Sequence, residues 1–155
     1  MHVKFGLLLS VLFIVSVSAV NAQTDLEKLA QDYYHKMVAT QDPTAKEEDI
    51  DNYLALLTDD VGHAHLPWVV DDTRYPDGKE KMKEGMMFYL GAHTEFKAEL
   101  LNSFVFNTSA IAIRYKKWVK GIHPQSKEPI EYTSTIMEVL ELEEDKIAVI
   151  RKYHQ

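Results

Sequence analysis

Two histidines, His63 and His65, stand two positions apart in a short stretch whose composition is typical of a β-strand. Because successive side chains of a strand point to opposite faces, both imidazoles are expected on one face, about 6.6 Å apart. Such a pair can bind zinc, but a third ligand such as His154 would be needed, and no spacing typical of a zinc site supplies one. We therefore predict no metal. An imidazole with an ordinary pKa of about 6.5 instead suits a pocket wall or a general base.

Glu138 is a second candidate for chemistry, because it is an acid within a strand face that is otherwise mainly apolar. Its same-face neighbours in a period-two pattern include Ile136 and Leu140. Burial among them would raise the pKa of the Glu138 carboxyl and hold it in the neutral form, which can donate a hydrogen bond. Two structural alternatives stay open: exposure at a strand edge, or an ion pair with Arg114 or Arg151.

The composition excludes several other classes of function. The 155-residue chain has no cysteine, so disulfides, thiolate zinc sites and cysteine catalysis are ruled out. Its 24 acidic and 17 basic residues give a net charge of -7, which argues against nucleic acid as a partner. Gly78, Gly85 and Gly91 form neither a dinucleotide-binding nor a phosphate-binding glycine pattern, so we predict no cofactor.

Residues 1–22 have the pattern of a signal peptide. Lys4 precedes an uncharged apolar run, and small residues lead to Ala22, after which a polar sequence begins. We predict cleavage after Ala22, a periplasmic or secreted protein, and no membrane association of the mature chain. An uncleaved anchor is the alternative, although the run is shorter than the roughly 20 residues of a membrane span. Residues 23–155 are then expected to form one domain.

Hydrophobic periodicity predicts the elements that must carry these residues. Apolar residues recur every three or four positions in the first half of the mature chain and every second position from Thr94 onward. Thr24 with Glu27, and Thr44 with Glu47, match the capping box that begins a helix. We therefore predict an α+β domain in which three N-terminal helices cover one face of an antiparallel sheet. The predicted helices are 24–41, 44–58 and 77–91, and the predicted strands are 61–66, 96–106, 111–119, 130–142 and 147–153.

Four segments of the mature chain carry a family resemblance. They are Tyr34 with Asp42 eight residues later, the run LLTDDVGHAHLPW at 56–68, the helix start DGKE at 77–80, and VLELEEDKIAVIRKYH at 139–154. In this order the chain resembles the SnoaL-like branch of the nuclear transport factor 2-like superfamily over essentially all of its mature length. The resemblance implies a cone, in which a curved sheet surrounds a pocket that the helices close. It indicates the fold far more firmly than the function.

The resemblance also implies a catalytic set. In ketosteroid isomerases and polyketide cyclases of this superfamily an acid on the short strand acts as the base, and the matching position here is His65, a departure from the commoner Asp. The position of the oxyanion tyrosine on the first helix matches Tyr34. A second oxyanion donor, a protonated acid on the penultimate strand, matches Glu138. Each of these residues also has a purely structural interpretation as a packed or ion-paired side chain.

We therefore expect a pocket that binds a small, largely apolar molecule, with three functions left open. The first is proton transfer next to a carbonyl, in an enzyme of the isomerase, cyclase or lyase type. The second is a non-catalytic carrier or sensor, and the third is an interaction module that forms a homodimer. The expected ligand-binding residues, which are aromatic or imidazole side chains, are Tyr33, His63, Trp68, Trp118 and Tyr132.

Overall fold

The computed structural model describes the chain from residue 10 to residue 155, with side chains described from Gln23 onward except for Thr24. The helices are α1 (Ser10–Ala39), α2 (Glu47–Leu54) and α3 (Gly78–Tyr89), and the strands are β1 (Leu57–Leu66), β2 (His93–Phe106), β3 (Ala110–Ile122), β4 (Pro129–Glu143) and β5 (Lys146–His154). Within this range no helix is both long and apolar enough to cross a membrane. Residues 1–9 of the predicted signal peptide lie outside the described residues, and its cleavage stays a prediction.

The first helix brings a buried aromatic face against the sheet. Ala30, Tyr33 and Met37 follow the three- and four-residue spacing of one helix face and are buried. The described helix runs without interruption from Ser10, in a chain that still includes residues before Gln23, so the predicted helix start at Thr24 of the cleaved chain stays a prediction. No proline or glycine lies between residues 10 and 39 to break the hydrogen-bond ladder, and a capping residue acts only where a first turn leaves N–H groups free.

The second helix begins three residues later than the predicted capping box. The carboxylate of Asp42 accepts hydrogen bonds from the backbone N–H of Thr44 at 2.8 Å and from its hydroxyl at 2.6 Å, so Thr44 belongs to a turn. The helix starts at Glu47, where the side chain of Asp49 accepts a hydrogen bond from the backbone N–H of Lys46 at 2.8 Å. The carboxylate of Asp49, in the first turn of the helix, therefore caps the helix N-terminus.

The five strands form one curved sheet in the order β1-β5-β4-β3-β2. Strands β2 to β5 are antiparallel neighbours as predicted, and Asn107, with a φ of 51°, lies in the predicted turn between β2 and β3. Strand β1 pairs in parallel with β5, so the prediction of a wholly antiparallel sheet is wrong at this edge. The long connection between these two strands permits parallel pairing, which no local sequence pattern encodes.

The helices cover one face of the sheet, which confirms the predicted α+β class. The fully buried core side chains include Tyr33, Ile50, Leu57, Ile111, Ile113, Tyr115, Ile136, Leu140, Ile147 and Ile150. Helix α3 packs on β1 and α2 but buries none of its residues completely; Met82 and Met86 are half-buried against the core. Because α3 is not packed tightly onto the sheet, a cavity remains beneath it.

Candidate functional site

A cavity of about 450 Å³ lies between α3, the end of α1 and the inner face of the sheet. A hollow of about 550 Å³ also lies between α2 and the start of α3, but its lining consists largely of lysines and aspartates that form exposed ion pairs with one another. We place the candidate site in the first cavity, because its walls hold buried titratable groups. Its lining residues are Met37, Thr40, Gln41, Tyr53, His63, His65, Lys81, Met82, Gly85, Met86, Tyr89, His93, Tyr115, Lys117, Tyr132, Lys152 and His154.

Glu138 lies under the cavity floor at the centre of a hydrogen-bonded cluster. Its side chain is fully buried, as the apolar strand face predicted. The hydroxyl of Tyr115 donates a hydrogen bond to Oε1 at 2.5 Å, the hydroxyl of Tyr33 donates to Oε2, and Nζ of Lys152 lies 3.1 Å from Oε1. The hydroxyl of Tyr53 lies 3.1 Å from that of Tyr33 and donates to it, because the Tyr33 proton is directed at Glu138. The Glu138 carboxylate thus links side chains of α1, α2, β3 and β5 in one hydrogen-bonded network.

The prediction that Glu138 is a neutral acid is wrong. Burial raises the pKa of its carboxyl, but the Lys152 ammonium and the hydrogen bonds from Tyr115 and Tyr33 outweigh burial, so that its pKa lies below its ordinary value. Its ion-pair partner is also different from the arginines considered from the sequence: Arg151 pairs with Asp72 at 2.6 Å. Glu138 is therefore a carboxylate that accepts hydrogen bonds and donates none.

The predicted histidine pair lies on one face of β1, as the strand period required. The ring centroids of His63 and His65 are 4.3 Å apart, and Nε2 of His154 lies 3.4 Å from Nδ1 of His65. Burial, followed by the positive charge of Lys152, lowers the pKa of His63 to about 3 and that of His65 to about 4. Both imidazoles are therefore uncharged near neutral pH. Among the described residues, no three His, Asp or Glu side chains are arranged to hold a metal ion.

Three lysines that the sequence analysis did not predict line the cavity: Lys81 of α3, Lys117 of β3 and Lys152 of β5. Burial, and then the neighbouring Lys152, lowers the pKa of Lys117 to about 8. A signal for Lys117 was present, because it alternates with the buried residues Tyr115 and Val119 and so shares their inward face. Lys152 likewise follows the buried Ile150 by two positions.

The structure brings four further predicted site residues to the cavity or directly beneath it, in addition to Glu138. His63, His65 and Tyr132 line the cavity, and Tyr33 contacts Glu138 below its floor. These five predicted residues come from α1, β1 and β4. The catalytic and ligand-binding roles of these residues stay predictions.

Three predicted residues lie elsewhere. Tyr34 is buried with its ring 6.0 Å from that of Tyr115, and it does not line the cavity. Trp118 lies on the opposite face of β3, where Lys97 stands 5.3 Å from its ring. Trp68 is 71% exposed and packs 4.8 Å from the ring of His154, outside the lining. Successive side chains of a helix point about 100° apart, and successive side chains of a strand point to opposite faces. An aromatic residue next to a cavity residue in the sequence can therefore lie outside the cavity.

Comparison with known proteins gives the fold a second line of support. No protein-family model matches the chain, and no curated protein matches its sequence at a significant level. Among solved structures, one described as a SnoaL-like polyketide cyclase from Shewanella putrefaciens has a TM-score of 0.62 at 12% identity, over 99% of this chain and 92% of that one. A nuclear transport factor 2-like protein from Anabaena variabilis has a TM-score of 0.61 at 18% identity, over 84% of this chain and 90% of that one.

An LEH-like epoxide hydrolase from M. tuberculosis is similar to the same extent, with a TM-score of 0.61 at 16% identity over 85% of this chain and 84% of that one. These identities are too low to transfer an activity, but the scores and coverage establish a common architecture. The chain therefore has the α+β cone fold of the nuclear transport factor 2-like superfamily, the fold of SnoaL-like and ketosteroid isomerase-like proteins.

Proposed function

We propose that the cavity binds a small molecule with an apolar body and that His65 removes a proton next to its carbonyl group, as in an isomerase, cyclase or lyase. The observation that carries the proposal is an uncharged imidazole in a half-enclosed cavity whose lining also includes Lys81, Lys117 and Lys152. An imidazole that is free of its proton can act as a base, and an ammonium can stabilise the enolate oxygen that develops.

The histidine cluster supports the assignment of His65 as the base. Its Nδ1 lies 3.4 Å from Nε2 of His154, a contact that can fix the ring orientation. The low pKa of His65 makes it a weak base on its own, because burial disfavours the imidazolium that forms when His65 takes up a proton, and Lys152 repels it. The negative charge that develops on the substrate oxygen offsets this repulsion, so the proton transfer is favoured only with substrate in place.

In this proposal Lys117 and Lys152 stabilise the oxyanion, the role that the family resemblance assigned to Tyr34 and to a neutral Glu138. Tyr34 does not reach the cavity, and the hydroxyl protons of Tyr33 and Tyr115 are directed at Glu138. In this proposal Glu138 is a positioning residue, which holds Lys152 at the cavity wall. The oxyanion is then stabilised by ammonium groups instead of by phenol and carboxylic acid donors.

A non-catalytic carrier is the second candidate, and the same low pKa of His65 favours it. A base whose pKa lies well below neutral abstracts carbon-bound protons slowly unless the substrate raises that pKa. The cavity and its aromatic and methionine side chains suit binding in either case. The two functions differ in whether bound ketone exchanges its protons.

Deuterium exchange into 2-tetralone separates these functions. The ketone is small, aromatic and enolisable, and proton NMR in D₂O follows loss of its α-proton signals. We expect the wild-type protein to accelerate exchange above the buffer rate, and His65→Gln to lower the acceleration by about 100-fold or more. His35→Gln, an exposed change on α1, is the matched control and should exchange at the wild-type rate. Binding without faster exchange would refute the enzyme and leave the carrier.

Export is a separate proposal that rests on residues 1–22 alone. Their charged start, apolar run and small residues near Ala22 support removal during secretion. Protein recovered outside the cytoplasm should begin at Gln23 in N-terminal sequencing. A membrane-bound species that retains residue 1 would contradict cleavage.

A further inference from the structure

The charges around the cavity do not balance. The Lys152 ammonium is paired with the fully buried Glu138 carboxylate at 3.1 Å. Lys81, at the α3 side of the cavity, is paired with Asp77 at 2.9 Å. Lys117 has no ion pair with a carboxylate among the described residues, and the cavity lining includes no Asp or Glu. One positive charge therefore remains without a counterion in the described structure.

The position of Lys117 makes this charge available to a ligand. Its Nζ lies 5.5 Å from the ring centroid of Tyr132, which lines the same cavity. Its side chain is partly buried; burial and then the charge of Lys152 lower its pKa, and the charge of Glu138 raises it. A buried ammonium that is only partly hydrated interacts more strongly with an anion than a surface lysine does.

We infer that the cavity takes a monoanionic ligand, an aromatic or apolar carboxylate whose carboxylate group pairs with Lys117. This inference rests on the proposed binding function and adds to it the chemical class of the ligand. The apolar part of the ligand packs against the half-buried Met82 and Met86 of α3 and against the ring of Tyr132.

A single negative charge fits the site better than two. One carboxylate neutralises Lys117, and Lys152 is already compensated by Glu138. A phosphate dianion would place an excess negative charge above the buried Glu138 carboxylate, with a large desolvation penalty. The preferred ligand is therefore a monocarboxylic acid, and phosphate esters are expected to bind weakly.

The test compares 2-naphthoate with its neutral analogue 2-naphthamide by isothermal titration calorimetry. Both have the same fused rings, and they differ in charge. We expect the carboxylate to bind the wild-type protein about 10- to 100-fold more tightly than the amide, the range for a hydrogen bond to a charged partner. Lys117→Met should remove this advantage and leave amide binding within a few-fold.

Matched variants keep the result interpretable. Lys116→Met changes the adjacent exposed lysine on the other face of β3 and should preserve the preference for carboxylate. Replacing the partly buried Lys117 by methionine is expected to leave the fold intact, and Lys117→Gln provides a polar alternative of similar length. Melting temperatures of all three variants should be recorded with the titrations.

The possible outcomes separate the two proposals. Equal affinity of carboxylate and amide, or a carboxylate preference that survives in Lys117→Met, would overturn the anion site while leaving apolar binding in place. Binding of neither compound would overturn both the anion site and the proposed binding function. A preference that is lost in both Lys116→Met and Lys117→Met would assign it to general surface charge and also overturn the inference.

Discussion

Replacing Glu138 by glutamine should destabilise the protein strongly, because the change leaves Lys152 without its counterion. The Lys152 side chain is 14% exposed and its partner carboxylate is fully buried. Removing one member of a buried ion pair typically costs about 3 to 5 kcal/mol. Glutamine can still accept a hydrogen bond from Tyr115 or Tyr33, which places the expected loss near the lower limit, about 3 kcal/mol.

Urea denaturation at pH 7 measures this loss directly. A decrease of about 3 kcal/mol corresponds to a melting temperature lower by about 10 °C for a domain of this size. Because the folded-state pKa of Glu138 lies below its ordinary value of 4.5, its ionisation contributes stability above that pH. The contribution is lost as the pH falls through the folded-state pKa. The difference between wild type and Glu138→Gln should therefore shrink below pH 4.5.

Two controls determine whether the reasoning is sound. Glu141→Gln removes a half-exposed carboxylate of the same strand that pairs with Arg151, and it should cost less than about 1 kcal/mol. Adding Lys152→Met to Glu138→Gln removes the orphaned charge and should restore at least half of the lost stability. The account is refuted if Glu138→Gln is no more destabilising than Glu141→Gln, or if the double variant recovers nothing.

Three further changes test the geometry around the cavity. Gly85→Ala should raise the free energy of unfolding by about 0.5 to 1 kcal/mol in thermal denaturation, because Gly85 lies within α3 and an added Cβ meets no atom within 4 Å; a loss of stability would contradict this. Gly62→Ala should lower it by about 1 to 3 kcal/mol, because its Cβ would lie 2.1 Å from the carbonyl oxygen of Asp72; unchanged stability would contradict the close approach. NMR titration should give pKa values for His63 and His65 well below 6.5. The unfolded chain then binds protons that the folded chain does not, so the free energy of unfolding should fall as the pH drops from 6.5 towards about 4. The expected loss is up to about 1.4 kcal/mol per pH unit for each histidine, and less for the partly exposed His65. Ordinary pKa values and a flat stability profile would contradict the burial of these rings.

Local patterns were sufficient to predict much of the fold. The period-two alternation placed Glu138 on an inward face and put His63 and His65 side by side. The change of period near Thr94 predicted the transition from helices to the long strands. The parallel pairing of β1 with β5 could not be predicted in this way, because it joins segments separated by most of the domain.

The candidate site was predicted less well, for a physical reason. The protonation state of Glu138 depends on Lys152, which lies on a different strand, so burial alone gave the wrong direction for its pKa. The choice between Tyr33 and Tyr34 depends on how α1 is rotated against the sheet, and helix periodicity places both near one stripe. Lys117 was not predicted, although its strand parity with Tyr115 and Val119 indicates an inward face, because a lysine on such a face is informative only when its surroundings are known.

Side-chain NMR of the histidines during titration with 2-tetralone tests the central claim, that the cavity under α3 is a ligand-binding site. His63, His65, His93 and His154 line this cavity, whereas His35 and His123 do not. We predict ligand-dependent shifts of the imidazole nitrogen signals of the four cavity histidines, saturating with a single affinity, and unchanged signals from the other two. Shifts of similar size in all six histidines, or no shifts at saturating ketone, would contradict the claim.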